Sequence, residues 1–315
     1  MPLKLVPDNT NIGFVKLRFV AFALTLLLTI GAAGLLAVRG LNLGVDFVGG
    51  LTMQVEFAQA PPLEALRARV NAVGVGDSAL QEFGNDRTIL IRLPLPEGDQ
   101  AAVQRVVGKV RTALDKDYRG VKFARVESVS GKVSNELIND GLWAVGLSML
   151  FVAMFTWFRF EWYFGVSTVV ALVHDVVVTM GFFALTQLEF DLNIVAAVLT
   201  IIGYSLNDKV VIDDRIRENL RKYRQMDIKG IIDLSVNETL PRTVMTSVNL
   251  LAALVALLLL GPEVIFGFTA AMVLGIIVGT YSSIFVSSSL LISLGVKARA
   301  AASEDARSKG AERIG

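Results

Sequence analysis

Six apolar runs, at residues 19–39, 141–158, 164–187, 192–212, 243–260 and 264–294, decide what this chain can fold into. A helix of about 20 apolar residues crosses a bilayer core, where backbone polar groups find partners only inside a helix or a closed barrel. The runs therefore predict a polytopic α-helical membrane protein with six transmembrane helices. Composition agrees: 53% of the 315 residues are hydrophobic and the mean hydropathy is +0.58, beyond an ordinary soluble domain. The first run is long for a signal peptide and no small-residue cleavage site follows it, so it reads as a retained span.

Charge sets the orientation. Lys4, Lys16 and Arg18 lie in the 1–18 segment before the first run, which puts that end in the cytoplasm by the positive-inside rule. Arg159 follows the second run, and Arg215, Arg217, Arg221, Lys222 and Arg224 follow the fourth, while the turns at Glu189 and Glu263 carry no basic residue. Both ends are expected inside, with 295–315 a charged cytoplasmic tail and 213–242 a cytoplasmic loop. In that loop Ile212, Ile216, Leu220, Tyr223 and Met226 share helical spacing, which predicts a helix lying on the membrane surface.

Residues 40–138 form the one sizeable soluble region, which falls outside the cytoplasm. Leu51–Phe57 alternates as a strand, Pro62–Ala72 reads as a helix, and 79–83 with 87–93 reads as a hairpin around Gly84-Asn85-Asp86. Asp99–Leu114 is a second helix and Val121–Val129 a last strand. The order strand-helix-strand-strand-helix-strand is that of an α+β ferredoxin-like domain.

Several chemistries are poorly served by this composition. A net charge of +1 points to no nucleic acid, and the absence of cysteine removes disulfides and thiolate metal sites. One histidine, His174, is too few for a zinc centre, and no glycine-rich phosphate loop occurs, so no metal, no nucleotide and no enzymatic activity are expected. Work by this chain must draw on a partner or an ion gradient.

Polar residues inside the spans carry the functional signal, because a carboxylate in a bilayer helix costs several kcal/mol unless paired, protonated or wetted. Asp208, with Asn207 and Lys209 beside it, precedes Val210, Val211 and Ile212, so the helix continues in lipid beyond the charge. Arg242 falls at similar depth on the next helix, within reach of Asp208 as a proton-responsive pair or as a static bridge. His174 and Asp175 lie mid-span; adjacent helix residues do not face each other, so the two are not expected to form one relay. Each reads either as part of a proton path or as a cross-helix hydrogen bond. Tyr204, Ser205 and Asn207 are expected as hydrogen-bond partners of Asp208. Gly275 and Gly279, with Ser282, Ser283 and Ser287, make a small-residue face for close helix packing.

Several of these segments resemble a known family. They are Asn42-Leu-Gly-Val-Asp46-Phe-Val-Gly49-Gly50, Leu172-Val-His174-Asp175 and Ile202-Gly203-Tyr-Ser-Leu-Asn207-Asp208. Asp214-Arg215-Ile-Arg217-Glu-Asn219, Thr239-Leu-Pro-Arg242-Thr243 and Gly279-Thr-Tyr-Ser-Ser283 complete the set. In this order they resemble the SecF-type family of bacterial protein-export membrane proteins, within the resistance-nodulation-division superfamily. Lys209 and Asp213 depart from the family pattern, which has a small residue at the first position and an aromatic or apolar one at the second. The resemblance implies a half-transporter in the bacterial inner membrane that pairs with SecD and assists the SecYEG channel and SecA. It would use the proton motive force, with no other cofactor, to complete export of unfolded polypeptides. Asp208 and Arg242 match the positions used for proton conduction, with Asn207, His174 and Asp175 nearby. Asp46, Gly49, Gly50, Gly203, Asp214 and Arg215 are motif positions; the glycines after Asp46 would serve a tight turn, and Asp46 is not read as a proton site. Two rival readings are a small-molecule exporter half and a proton-independent assembly scaffold.

Overall fold

A computed structural model describes residues 6–7, 10–96 and 100–296. Lys4, the expected helix start at Asp99 and the tail from Lys297 lie outside them. The chain divides into two compact units: one comprises residues up to Asn42, Ala144–Leu188 and those from Asn193, the other Leu43–Trp143 with Glu189–Leu192.

In the second unit, a short helix α2 (Val45–Val48) leads into β1 (Gly50–Glu56), α3 (Leu63–Asn71), β2 (Ala79–Phe83), β3 (Asn85–Leu93), α4 (Gln100–Asp117) and β4 (Lys122–Val129). The sheet order is β2-β3-β1-β4, antiparallel throughout, the ferredoxin-like arrangement expected. Alternation builds the core: Leu51, Met53 and Val55 of β1 and Ile89, Ile91 and Leu93 of β3 point to one face. There they meet Leu66 and Val70 of α3 and Val110 and Leu114 of α4. Burying each such side chain contributes about 1.5–3 kcal/mol. The hairpin is tighter than expected, because Gly84 alone takes a positive φ, +70°, and β3 begins at Asn85.

Gly50 has φ +123°, and a Cβ there would stand 2.8 Å from the Leu93 carbonyl oxygen, so no side chain fits where β1 meets β3. Asp46 Oδ2 accepts a hydrogen bond of 3.0 Å from the Leu192 backbone N–H, which makes it a helix-start acceptor. Glu189 pairs with Arg92 at 3.0 Å; burial pushes its carboxyl above the usual carboxylate range against the pull of that arginine.

The first unit holds the membrane helices α1 (Arg18–Arg39), α5 (Gly131–Arg159) from Ala144 on, α6 (Trp162–Thr186), α7 (Leu192–Lys222) from Asn193 on, α8 (Ile228–Leu260) and α9 (Phe266–Tyr281). The last continues through a π-helical segment, Ser282–Ser287, into α10 (Ser288–Ser293). Among the described residues, six helices are long and apolar enough to cross a membrane, with α9 through α10 counted as one. α6 and the last span are the buried ones; α1, α5 and α8 turn Phe19, Leu27, Phe151, Phe158 and Leu259 outward, as helices solvated by lipid do. Small residues let the helices close: a Cβ on Gly181 would collide with Ala32, and one on Gly275 with the Ile201 side chain.

The segment 213–242 does not form a separate helix. α7 runs on to Lys222 and α8 starts at Ile228, leaving Tyr223–Asp227 as the turn. The apolar spacing of Ile212, Ile216 and Leu220 extends the buried face of α7, which packs on Ile231, Ile232 and Val236 of α8 rather than on lipid. Asn237 Oδ1 accepts from the Ile12 N–H at 2.9 Å, its Nδ2 donates to the Ile12 carbonyl at 2.8 Å, and Asp233 Oδ1 accepts from Val15 N–H at 2.9 Å. The amino-terminal segment is thereby tied to α8.

Candidate functional site

On α7, Ser205, Lys209 and Asp213 are four residues apart and stack on one face, since side chains at i and i+4 lie over one another. That face meets α6 and the π-helical segment, and all three residues are buried. Asp175 Oδ2, on α6, accepts from Ser205 Oγ at 2.6 Å, Ser282 Oγ at 2.9 Å and Lys209 Nζ at 3.0 Å. The ammonium also contacts Ser205 Oγ and reaches Ser282 Oγ at 3.0 Å. Helical side chains lean toward the amino end of their helix, which carries Lys209 back over Ser205. Lys209 is 0% exposed. A wholly buried cation survives only with a partner and satisfied protons, and Asp175 with two hydroxyls supplies both. The π-helical stretch presents Ser282 here; such segments arise where a helix departs from its regular ladder, often at functional sites.

Lys209 therefore bonds Asp175 and not its neighbour Asp208, and the hydrogen-bond partners expected for Asp208 lie elsewhere. Ser205 serves Asp175, not Asp208, because it belongs to the face that carries Lys209. Tyr204 shares a hydrogen bond of 3.0 Å with Ser247, which in turn shares one of 2.8 Å with Thr280. Asn207 is exposed. His174 and Asp175 do join, Nδ1 to Oδ1 at 3.1 Å. The roughly 100° between consecutive helix side chains is spanned because both carry polar atoms close to the backbone, and these bend toward each other. His174 Nε2 is buried and has no partner among the described residues.

Asp208 is 3% exposed, and its Oδ2 has no hydrogen-bond partner among the described residues. The expected pair with Arg242 is not closed: no ion pair joins them among the described residues, although the Arg242 and Lys209 charges both act on Asp208 through space. Arg242 lies on the exposed side of α8, just after Pro241, and its guanidinium is turned outward. Asp213 is 1% exposed; Thr168 Oγ1 donates to its Oδ2 at 3.3 Å, and its Oδ1 has no partner among the described residues. Gly203 is exposed, with nothing within 4 Å of where a Cβ would stand.

The charged motif after Asp213 joins helices. Asp214 pairs with Arg159 of α5 at 3.0 Å, and Arg215 pairs with Glu238 of α8 at 2.7 Å and with Glu218 at 2.6 Å. Asn219, 0% exposed, donates to Ser235 at 3.0 Å and Glu238 at 2.7 Å. Asn219→Ala leaves both acceptors of α8 short of a donor and should cost about 1–3 kcal/mol, read as a lowered unfolding midpoint of the detergent-solubilised protein.

Sequence reasoning found Asp175 and Asp208, and Lys209 beside the latter, but did not join Lys209 and Ser282 to Asp175. The available signal was the Ser205, Lys209, Asp213 spacing inside an apolar helix.

The description "Protein export membrane protein SecD/SecF, C-terminal" matches residues 109–297, and "SecD/SecF GG Motif" matches residues 34–61. Protein translocase subunit SecF of Desulfurispirillum indicum is 44% identical over 285 residues, covering 89% of this chain and 91% of that protein. The subunit of the same name from Cereibacter sphaeroides is 43% identical over 302 residues, covering 93% of each. A crystal structure of SecDF, a translocon-associated membrane protein from Thermus thermophilus, matches with TM-score 0.84 and 33% identity over 93% of this chain. This chain spans 40% of that SecDF chain.

Proposed function

Because the chain belongs to the SecD/SecF family of protein-export membrane proteins, we propose that it works as a SecF-type subunit that couples proton entry to polypeptide export. Asp208 is the observation that carries this reading: a carboxyl buried in a membrane-spanning helix with an oxygen that nothing among the described residues satisfies. A structural carboxylate would be paired, as Asp175 is. Taking up a proton cancels the pull between Asp208 and Arg242, and α7 and α8 repack. One proton crossing 100 mV yields about 2.3 kcal/mol, enough to bias two states separated by a few kcal/mol. Asn207 beside Asp208, and His174 with Asp175 one helix away, extend the polar route. The soluble unit would hold the emerging unfolded chain.

Six spans make half of the pseudo-symmetric arrangement usual in such transporters, so SecD is the partner that completes it, on the exposed side of Gly203, Asn207 and Arg242. SecYEG and SecA complete the machinery. The chain acts in the bacterial inner membrane with both ends in the cytoplasm, uses the proton gradient with no bound cofactor, and catalyses no reaction of its own.

The test is conversion of a secreted precursor to its mature form in cells dependent on this chain, wild type against Asp208→Asn, with protein level and SecD association matched. Precursor should accumulate in the variant, and dissipating the proton gradient should add little further delay. Normal conversion makes the carboxylate structural and the chain a proton-independent scaffold.

A further inference from the structure

The transport reading uses only part of the polar layer between α6 and α7. Asp175 and Asp213 are each 1% exposed, and the wholly buried Lys209 acts electrostatically on both. The ammonium bonds Asp175 of α6, Ser205 of α7 and Ser282 of the π-helical segment, and its charge also reaches Asp208 and Asp213 of α7; His174 bonds Asp175 and Thr168 bonds Asp213. Arg242 of α8 acts on Asp208. Asp175 and Asp213 thus share one buried ammonium, whereas the third buried carboxyl, Asp208, also feels the charge of Arg242. With both ionised the layer would hold an uncompensated charge at a cost of several kcal/mol; with one proton added it is neutral. Asp175 uses both oxygens, whereas Asp213 has Oδ1 buried and without a partner among the described residues.

We propose that Asp175, Lys209 and Asp213 form a second proton-exchange centre, in which the Lys209 ammonium passes from one carboxylate to the other while a proton passes the opposite way. In the arrangement seen here Lys209 binds Asp175, and the proton stands on Asp213. In the alternative, Lys209 turns to Asp213, the neighbour one helical turn on, and the proton stands on Asp175. Both states contain one ammonium, one carboxylate and one carboxylic acid, so no isolated ion is ever buried. His174 can carry that proton: Nε2, which has no partner among the described residues, takes up the proton that Asp213 gives up while Nδ1 releases one to Asp175 Oδ1, so the ring stays neutral and the number of protons in the layer is unchanged. Moving Lys209 also removes its bond to Ser282, which links the exchange to the π-helical segment of the last span.

This rests on the proton-coupled reading and extends it from Asp208 to a second site. The experiment uses inner-membrane vesicles carrying the full chain with SecD, and measures how far an imposed proton gradient stimulates export in wild type, Asp208→Asn and Asp213→Asn. Asp213→Asn keeps an acceptor for Thr168 and deletes only the ionisable group, so assembly should equal wild type. Stimulation should fall about tenfold, the size of a typical coupling between sites. An Asp213→Asn chain with full stimulation, beside an Asp208→Asn chain without it, overturns the exchange and leaves the Asp208 reading standing. Full stimulation in both overturns the two together. If Asp213→Asn assembles below wild-type level, Thr168→Val replaces it. Loss of that hydroxyl should shift the pH profile of stimulation, and an unchanged profile overturns the proposal.

Discussion

Lys209→Met should cost the membrane unit about 3–5 kcal/mol, the penalty for leaving a buried charge without its partner. The side chain it removes is 0% exposed and gives Asp175 its cation, while Ser205 and Ser282 lose a donor in the same step. Met fills much of the volume of Lys, so cavity formation contributes little and the loss is electrostatic. Pairing the change with Asp175→Asn should recover most of the stability, because a neutral amide accepts from the two serines and no ion remains to be compensated. Thermal unfolding in detergent of the two single variants and the double variant checks this as a double-mutant cycle. A double variant as unstable as Lys209→Met would mean that shape at this position matters more than charge.

Gly275→Val is the second large effect. A Cβ at Gly275 already overlaps the Cγ and Cδ carbons of Ile201, and valine adds two further methyls to a face where α9 and α7 touch. Overpacking of this kind costs about 1–3 kcal/mol where neighbours can shift. Here it should exceed that, because the next contact along the pair is Gly279 against Ser205, whose Oγ is committed to Asp175. The helices cannot separate at Gly275 without loosening the Lys209 network. Gly275→Val should therefore lower the unfolding midpoint and reduce the level of assembled protein, and Ile201→Ala in the same chain should restore part of both. No rescue would show that the strain is relieved somewhere other than Ile201.

Spans and soluble domain were legible because each rests on a periodicity that local sequence cannot hide. Apolar runs of membrane length admit little but helices, and the alternation of Leu51, Met53 and Val55 against the 3.6-residue spacing of Leu66 and Val70 separates strands from helices. Helix length across the 213–242 segment was less legible. Ile212, Ile216 and Leu220 have the same spacing whether they lie on lipid or on another helix, and only α8 packed against them decides.

The buried carboxyl groups were legible as residues and illegible as partners. Asp208, Asp175 and Arg242 stood out because charge inside an apolar run is expensive wherever it falls. Which cation answers which carboxylate depends on helix rotation and on the neighbour facing that side, and neither is written in spacing. By itself, the sequence determined six helices, one ferredoxin-like domain and a small set of polar groups placed inside the spans. The tertiary structure alone decided that Lys209 turns from its neighbour Asp208 to Asp175 on another helix. Consecutive residues diverge by about 100° around a helix, so residues adjacent in sequence can face different neighbours, while residues far apart in the chain share one buried layer.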